Sequence, residues 1–176
     1  METFAKVLRT IALALLSGGS AATVFAAIVM VKAAKANGIP VEEAAAANAP
    51  IFIGYSRIVL GAAIMLTIGE ALDFFVGTDK SKLAKMRYLF SGLAIATALG
   101  FSLGIVPPME VLLPRMKEAA EAHQEFQKLH HISQMVFGAS ILCAFVSLVL
   151  PVFSRNGASG KPVESASTTD VSATQS

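Results

Sequence analysis

Four apolar segments separated by polar connectors set the pattern of this chain. The ranges 10–31 and 132–153 each hold 22 consecutive residues without a charged side chain. A bilayer core about 30 Å thick needs about 20 apolar residues per helix. The pattern predicts an all-α fold, an integral membrane four-helix bundle with spans at about 10–31, 51–72, 88–106 and 132–153.

The second span is the least apolar of the four, because Arg57 lies inside it and Glu70 lies near its far end. Arg57 is about two turns from the start of this predicted span. Its aliphatic stem can therefore reach the interface, or its head can find a partner. We keep the segment as a span on that basis.

The first span allows two interpretations. Lys6 and Arg9 precede the apolar run, and Ala26-Ala27 would suit a signal-peptide cleavage site. The run is about twice the length of a typical signal core and does not stop at these alanines. We therefore favour a retained first span.

Prolines and glycines mark the predicted helix ends. Gly38-Ile39-Pro40 breaks the first helix, and a short surface helix follows from Val41. Pro50 suits the first turn of the second span. Pro107-Pro108 is expected to end the third span.

The long polar segment 107–133 holds all three histidines of the chain. Its charged side chains fit an amphipathic interfacial segment of roughly 25 residues between spans 3 and 4. The tail, rich in Ser, Thr, Gly and Ala, offers little that can pack. We therefore expect a four-span transmembrane domain at 1–153 and a disordered cytoplasmic tail at 154–176.

The basic residues favour one orientation in the membrane. The side that holds both termini carries eight basic residues and the other side carries five, with Arg57 not counted. The eight are Lys6, Arg9, Lys80, Lys82, Lys85, Arg87, Arg155 and Lys161. By the positive-inside rule both termini are cytoplasmic. The expected location is the bacterial inner (cell) membrane.

This orientation predicts a polar site at the outer mouth of the bundle. Arg57 needs a partner in hydrocarbon, and Glu110 is the candidate if the chain folds back after Pro108. His130 and Ser133 lie at the entry to the fourth span, and Tyr55 is on the turn next to Arg57. The alternative is a pairing that only fixes helix register. At the other face, Glu70 and Asp73 can pair with Lys85 or Arg87 at the interface.

Histidine and methionine raise a metal alternative. His123, His130 and Met135 are the ligand types that copper prefers. However, His123 and His130 are seven residues apart, about 10 Å along a helix. No two histidines have the i, i+4 spacing of a helical metal site. No cofactor is therefore expected, and haem or copper remains the alternative.

Composition narrows the partners and the activity. Charged residues make up 15% of the chain and the net charge is +2, against roughly 25% charged residues in soluble domains. The lipid bilayer is the expected surrounding, and nucleic acid is not an expected partner. The stripe Gly92, Ala96, Gly100, Gly104 predicts a tight contact with another span, another copy of the chain or a membrane-protein partner. The chain holds no G-x-S-x-G, P-loop or H-E-x-x-H motif, so nothing indicates an enzyme.

A short motif at the start of the fourth span resembles a known family. The motif is F-x-x-L-H-x-x-S, carried by Phe126, Leu129, His130 and Ser133. With it the chain resembles the domain-of-unknown-function 4149 family, the transmembrane protein 205-like four-span membrane proteins. Where that family often has asparagine seven residues after the histidine, this chain has Phe137.

The resemblance extends over roughly residues 10–153. Gly18-Gly19-Ser20 with Phe25 is similar to the family's first span, and Pro114-Arg115 to its segment after span three. The resemblance implies a small multi-pass membrane protein of largely undefined activity. The family is distantly similar to four-span copper-resistance membrane proteins and to membrane haem-pathway oxidases, an analogy that favours the metal alternative.

These observations lead to one expectation about function and one alternative. The expectation is a non-enzymatic accessory protein or a small-solute or metal-handling factor, with a polar site at the outer face. The alternative is a membrane redox protein that binds haem or copper through His130.

Overall fold

A computed structural model describes residues 1–76, 81–117 and 119–156, and these residues form helices joined by short turns, without strands. The elements in chain order are α1 (Glu2–Ala14), a π-helical turn (Leu15–Gly19), α2 (Ser20–Ala36), α3 (Val41–Val76), α4 (Lys82–Leu99), a second π-helical turn (Gly100–Ile105), α5 (Val106–Leu112), a 3₁₀ turn (Leu113–Lys117) and α6 (Ala120–Asn156). The predicted all-α fold is confirmed.

Four helical segments are long and apolar enough to cross a bilayer: Glu2–Ala36, Ala46–Val76, Lys82–Met116 and Ala120–Phe153. Large apolar side chains cover their outer surfaces; Phe75 is 83% exposed, Phe25 69% and Leu142 63%. A water-soluble protein rarely exposes contiguous apolar surface on this scale. The chain is therefore an integral multi-pass membrane protein.

The four spans run alternately up and down, so the bundle has two distinct ends. At the terminal end, α1 begins and α6 finishes, and side chains near residues 9, 73, 87 and 147 meet. At the opposite end, the hairpin end, a turn joins α2 to α3. Gly38 occupies this turn with φ +80°, a conformation that glycine adopts without a steric penalty.

Small residues allow the spans to pack closely in the centre of the bundle. The contact between α4 and α6 is the most extensive in the fold. Ala94, Ala98 and Ala144 are fully buried, and Ser91, Ser140 and Ser147 are at most 2% exposed. In lipid, close backbone approach through such residues replaces the hydrophobic driving force available in water.

The predicted break at Gly38 is confirmed, but two predicted helix boundaries at prolines are wrong. Pro50 lies inside α3, because the surface helix predicted from Val41 and the second span are one continuous helix. Neighbouring helices make an interior proline tolerable in a transmembrane helix. Pro107 and Pro108 begin α5 instead of ending the helical path. Their missing N–H groups lie in a first turn, where such groups have no helical partner.

The segment 107–133 is shared between elements. It contains most of α5, the 3₁₀ turn and the first four turns of α6, which continues into the fourth span without a break. A small apolar cluster joins these parts through Ala49, Met109, Leu112, Ala122 and Phe126. The predicted tail is 154–176; its first three residues form the end of α6. Residues 157–176, which include Lys161, lie outside the described residues, as does Lys80.

The small-residue stripe of the third span points away from the bundle. Gly92, Ala96, Gly100 and Gly104 are all exposed. A Cβ built on any of the three glycines has no other atom within 4 Å. Within the described bundle this stripe therefore makes no contact with another span.

Candidate functional site

A cavity of about 620 Å³ lies at the hairpin end, with walls from all four spans. This volume is within the range of small-molecule sites, roughly 300–1,000 Å³. The walls are mostly apolar and include Val24, Ile53, Val106 and Met109. Such a cavity suits an apolar molecule or the apolar part of a larger one.

Aromatic rings close the cavity toward the centre of the bundle. Phe137 of α6 is 4% exposed. Its ring centroid lies 4.7 Å from that of Phe101, 6.2 Å from that of Phe52 and 6.4 Å from that of Tyr55. The last two pairs are edge-to-face, the arrangement that the charge distribution of aromatic rings favours. This cluster separates the cavity from the polar groups at the terminal end.

Asn48 of α3 is the most informative polar residue of the cavity wall. It is only 4% exposed and lines the cavity, yet its side chain forms no hydrogen bond with another described residue. The amide atoms are accessible, because Arg87 Nε is the buried side-chain nitrogen or oxygen that lacks a partner among the described residues. A molecule in the cavity can therefore hydrogen-bond to this amide.

Three polar residues of α6 form a second group on the wall. The Ser133 hydroxyl donates to the His130 carbonyl oxygen at 2.6 Å, and His130 Nε2 lies 3.1 Å from Gln134 Nε2. The His130 imidazole stacks on the Phe126 ring, with centroids 6.2 Å apart and planes 7° apart. These contacts fix the imidazole at the edge of the cavity.

The cavity opens sideways between α2 and α6. Ile28 and Lys32 of α2, and Gln134 and Gly138 of α6, line it and are exposed. The first and fourth spans touch through α1 and the first π-helical turn. Beyond that turn, α2 and α6 diverge. The opening therefore faces the lipid side of the bundle.

One π-helical turn lines this cavity, and the other contacts the aromatic cluster that closes it. In the second, Phe101 lines the cavity and the Ser102 hydroxyl donates to the Ser56 carbonyl oxygen at 3.1 Å. At the first, the Tyr55 hydroxyl donates to the Leu15 carbonyl oxygen at 2.9 Å. Such turns occur mostly as single insertions in α-helices and frequently at functional sites.

The structure brings together part of the predicted polar site. His130 and Ser133 both line the cavity, and Tyr55 packs against its aromatic end. Arg57 and Glu110 are exposed, and they form no ion pair with each other or with any other described residue. Because α3 begins at Val41, Arg57 lies 16 residues, about 24 Å, from the start of its helix.

The three residues of the metal alternative have different surroundings. His123 and His130 are half-buried, whereas Met135 is 58% exposed. Within residues 1–76, 81–117 and 119–156, no three His, Cys, Asp or Glu side chains are placed to hold one metal ion. A copper site through His130 would need ligands of another type, such as methionine, or ligands from another molecule.

A buried cluster of charged side chains occupies the terminal end, where sequence analysis expected interfacial pairing. Arg87 pairs with two acids in the C-terminal part of α3: its Nη2 lies 3.4 Å from Glu70 Oε2 and makes a closer contact with Asp73 Oδ2. Lys85, the other candidate, is exposed. Arg9 of α1 joins the cluster, with Nη1 3.3 Å from Asp73 Oδ2. Each of these four side chains is 8–12% exposed.

Hydroxyl groups extend this charge cluster, in which Arg87 Nε is buried without a hydrogen-bond partner among the described residues. Tyr88 Oη donates to Asp73 Oδ2 at 3.0 Å, and Ser91 Oγ donates to Glu70 Oε1 at 2.6 Å. Ser91 Oγ also lies 2.6 Å from Ser147 Oγ of α6. The Arg87 guanidinium carbon lies 4.3 Å from the centroid of the Tyr88 ring. The formal charges of two guanidinium groups and two carboxylates thus cancel at a point where all four spans meet.

Residues that matter at both ends were not predicted from the sequence. Asn48 lies before the predicted second span, and its signal in the sequence is a lone amide within an alanine-rich run. Arg9 immediately precedes the predicted first span. A positive charge at that position can lie inside a bundle when acidic side chains pair with it, as Asp73 does here. Ser133, Ser140 and Ser147 repeat every seven residues on one face of α6, which was a readable signal for a buried polar line.

Comparison with protein-family models, with curated proteins and with solved structures finds no match. The resemblance to the domain-of-unknown-function 4149 family therefore rests on its motif and remains a prediction. The fold and the site together define a class: an all-helical, four-span integral membrane bundle. It has an apolar cavity at one end and a neutral cluster of buried charges at the other.

Proposed function

We propose that this chain is a non-enzymatic membrane protein that binds an amphiphilic small molecule in the cavity at the hairpin end. The apolar part of the molecule would occupy the space beside Phe52, Phe101 and Phe137. Its polar part would hydrogen-bond to the Asn48 amide. This is the small-solute function expected from the sequence, with a lipid-soluble solute.

One observation carries this proposal: the Asn48 amide, which has no hydrogen-bond partner among the described residues, lines a mostly apolar cavity. Ligand sites typically combine apolar walls with a few placed polar groups. The sideways opening between α2 and α6 supports entry from the bilayer, where amphiphiles concentrate. Lys32, Gln134 and His130 at the edge supply further polar contacts.

Filling the cavity tests the proposal directly. Gly138 lines the cavity and Gly54 does not; both are exposed on helices, and neither has an atom within 4 Å of an added Cβ. We expect the wild type and Gly54→Leu to co-purify with an amphiphile, measured by solvent extraction and mass spectrometry. Gly138→Leu should retain at least about tenfold less, because the leucine side chain blocks the cavity. Equal amounts in the two variants would contradict the proposal.

Asn48→Leu tests the polar contact, because it replaces the amide with an apolar side chain of similar size. Loss of one hydrogen bond worth about 1 kcal/mol should weaken binding about fivefold. Unchanged affinity would assign the binding to the apolar walls alone.

The redox alternative predicts a different result from the same preparation. A Soret band in the absorption spectrum, or stoichiometric copper by elemental analysis, that is lost in His130→Ala would make His130 a ligand. That outcome would replace the amphiphile proposal with a membrane redox protein.

We further propose a bacterial inner-membrane location with both termini cytoplasmic. The distribution of basic residues supports this orientation. Arg9 and Arg87 are paired with acids, but the rule counts Lys and Arg largely regardless of acidic neighbours. The cavity would then open near the outer leaflet.

A further inference from the structure

The two carboxylates of the charge cluster are unequally compensated. Asp73 Oδ2 accepts from three donors, Arg9, Arg87 and Tyr88. Glu70 has one guanidinium contact, at 3.4 Å from Oε2, and one hydroxyl donor, Ser91. Two cations and one phenol therefore contact Asp73. Protonation of Glu70 would weaken fewer charge interactions than protonation of Asp73.

A chain of hydroxyl groups starts at Glu70. Ser91 Oγ lies 2.6 Å from Glu70 Oε1 and 2.6 Å from Ser147 Oγ. Ser147 Oγ lies 3.5 Å from the Arg87 carbonyl oxygen. Each hydroxyl group donates one proton and also accepts, so the chain can point in either of two directions.

Both directions satisfy the groups involved. With Glu70 ionised, Ser147 donates to Ser91, and Ser91 donates to Oε1. With Glu70 protonated on Oε1, the acid donates to Ser91, Ser91 donates to Ser147, and Ser147 donates to the Arg87 carbonyl oxygen. Most buried carboxylates would lose hydrogen bonds on protonation, whereas this one keeps the same partner with the roles reversed.

We propose that Glu70 is a proton-binding site of this membrane protein. One proton passes from hydronium in the aqueous phase at the terminal end to Glu70 Oε1, leaving water, and the Ser91–Ser147 chain reverses. The groups facing the carboxyl group are Arg9 of α1, Asp73 of α3, Arg87, Tyr88 and Ser91 of α4, and Ser147 of α6. One proton changes the charge of the cluster from neutral to +1.

This site is at the opposite end of the bundle from the cavity and does not depend on the cavity's occupant. Infrared difference spectroscopy on the full chain in lipid nanodiscs, recorded as the pH is lowered while helicity is retained, tests it. We expect a protonated-carboxyl C=O band that is lost in Glu70→Gln. In Ser91→Ala the band should move to higher frequency, because its hydrogen-bond partner is gone.

Glu110→Gln is the matched control, since Glu110 is exposed and unpaired among the described residues. This variant should leave the Ser91-sensitive band in place. If Glu70→Gln does not fold, Glu70→Asp should move or remove the same band. A spectrum without a band that depends on both Glu70 and Ser91 would overturn the proposal and leave the cluster a fixed set of ion pairs.

Discussion

At Gly19, a missing side chain makes room for a hydrogen bond between spans. The Tyr55 hydroxyl of α3 donates to the Leu15 carbonyl oxygen of the first π-helical turn. A Cβ at position 19 would overlap that hydroxyl oxygen and lie 3.4 Å from Tyr55 Cζ. The glycine therefore sets how closely the first two spans approach at this point.

Gly19→Ala should displace the Tyr55 ring and lower the free energy of unfolding by about 1 kcal/mol. Interhelical hydrogen bonds in membranes average about 0.6 kcal/mol, and a shifted ring adds rotamer strain. Unfolding in detergent, followed by circular dichroism, measures the difference. Gly18→Ala is the control, because nothing lies within 4 Å of an added Cβ there.

A double-mutant cycle isolates this contact. In a Tyr55→Phe background, Gly19→Ala should cost clearly less, because the overlapping oxygen has been removed. An equal cost in both backgrounds would mean that the alanine disturbs the π-helical turn itself.

Residue identity predicted the candidate site only in part. Arg57 and Glu110 were predicted site residues because they are charged. In the structure both are exposed and unpaired among the described residues. His130 and Ser133 were found because polar groups at the entry to a span are conspicuous. Asn48 was not predicted, because an uncharged amide near a helix break is typical of a loop. Its burial depends on contacts with other spans, which the local sequence does not show.

At the scale of elements, α1 and α3 approach each other closely at Gly69. A Cβ there would lie 3.1 Å from the Arg9 backbone nitrogen and 3.3 Å from its Cα. These are backbone atoms, so relief requires movement of a whole helix. The contact also positions the Arg9 side chain for Asp73.

Gly69→Ala should separate α1 from α3 and destabilise the bundle by about 1–3 kcal/mol, the usual cost of overpacking. The measurement is the unfolding midpoint in a mixed-detergent titration. Gly61→Ala, on the same helix with no atom within 4 Å of an added Cβ, should be neutral or slightly stabilising because alanine favours the helix. Equal effects at both positions would show that α1 adjusts freely.

The apolar pattern predicted four spans, but the helix ends predicted from the positions of proline were wrong. Proline was expected to begin the second span at Pro50 and to end the third at Pro107. Helical backbone continues through both positions. At Pro50, neighbouring spans make the missing N–H group tolerable, whereas at Pro107 this group falls in the first turn of α5. Neither the packing nor the new helix start is visible in a local sequence window.

At the scale of the whole molecule, the orientation in the membrane sets which compartment each end faces. Lys6→Cys places a thiol at the terminal end and Lys35→Cys near the hairpin end; both lysines are exposed. In a Cys143→Ala background, a membrane-impermeant maleimide should label only Lys35→Cys in intact bacterial cells. Lys6→Cys should be labelled only after permeabilisation. The reverse pattern would place the cavity near the cytoplasmic leaflet and the charge cluster outside.

The sequence by itself determined the class of fold. Runs of about 20 apolar residues must become helices in a bilayer, because each backbone polar group has to be satisfied within its own segment. The tertiary structure decided which polar groups are functional candidates. Helix rotation left Arg57 on the surface, buried Asn48 beside the cavity and brought Arg9 to Asp73. These outcomes depend on close contacts between residues up to 64 positions apart, which periodicity within one helix does not encode.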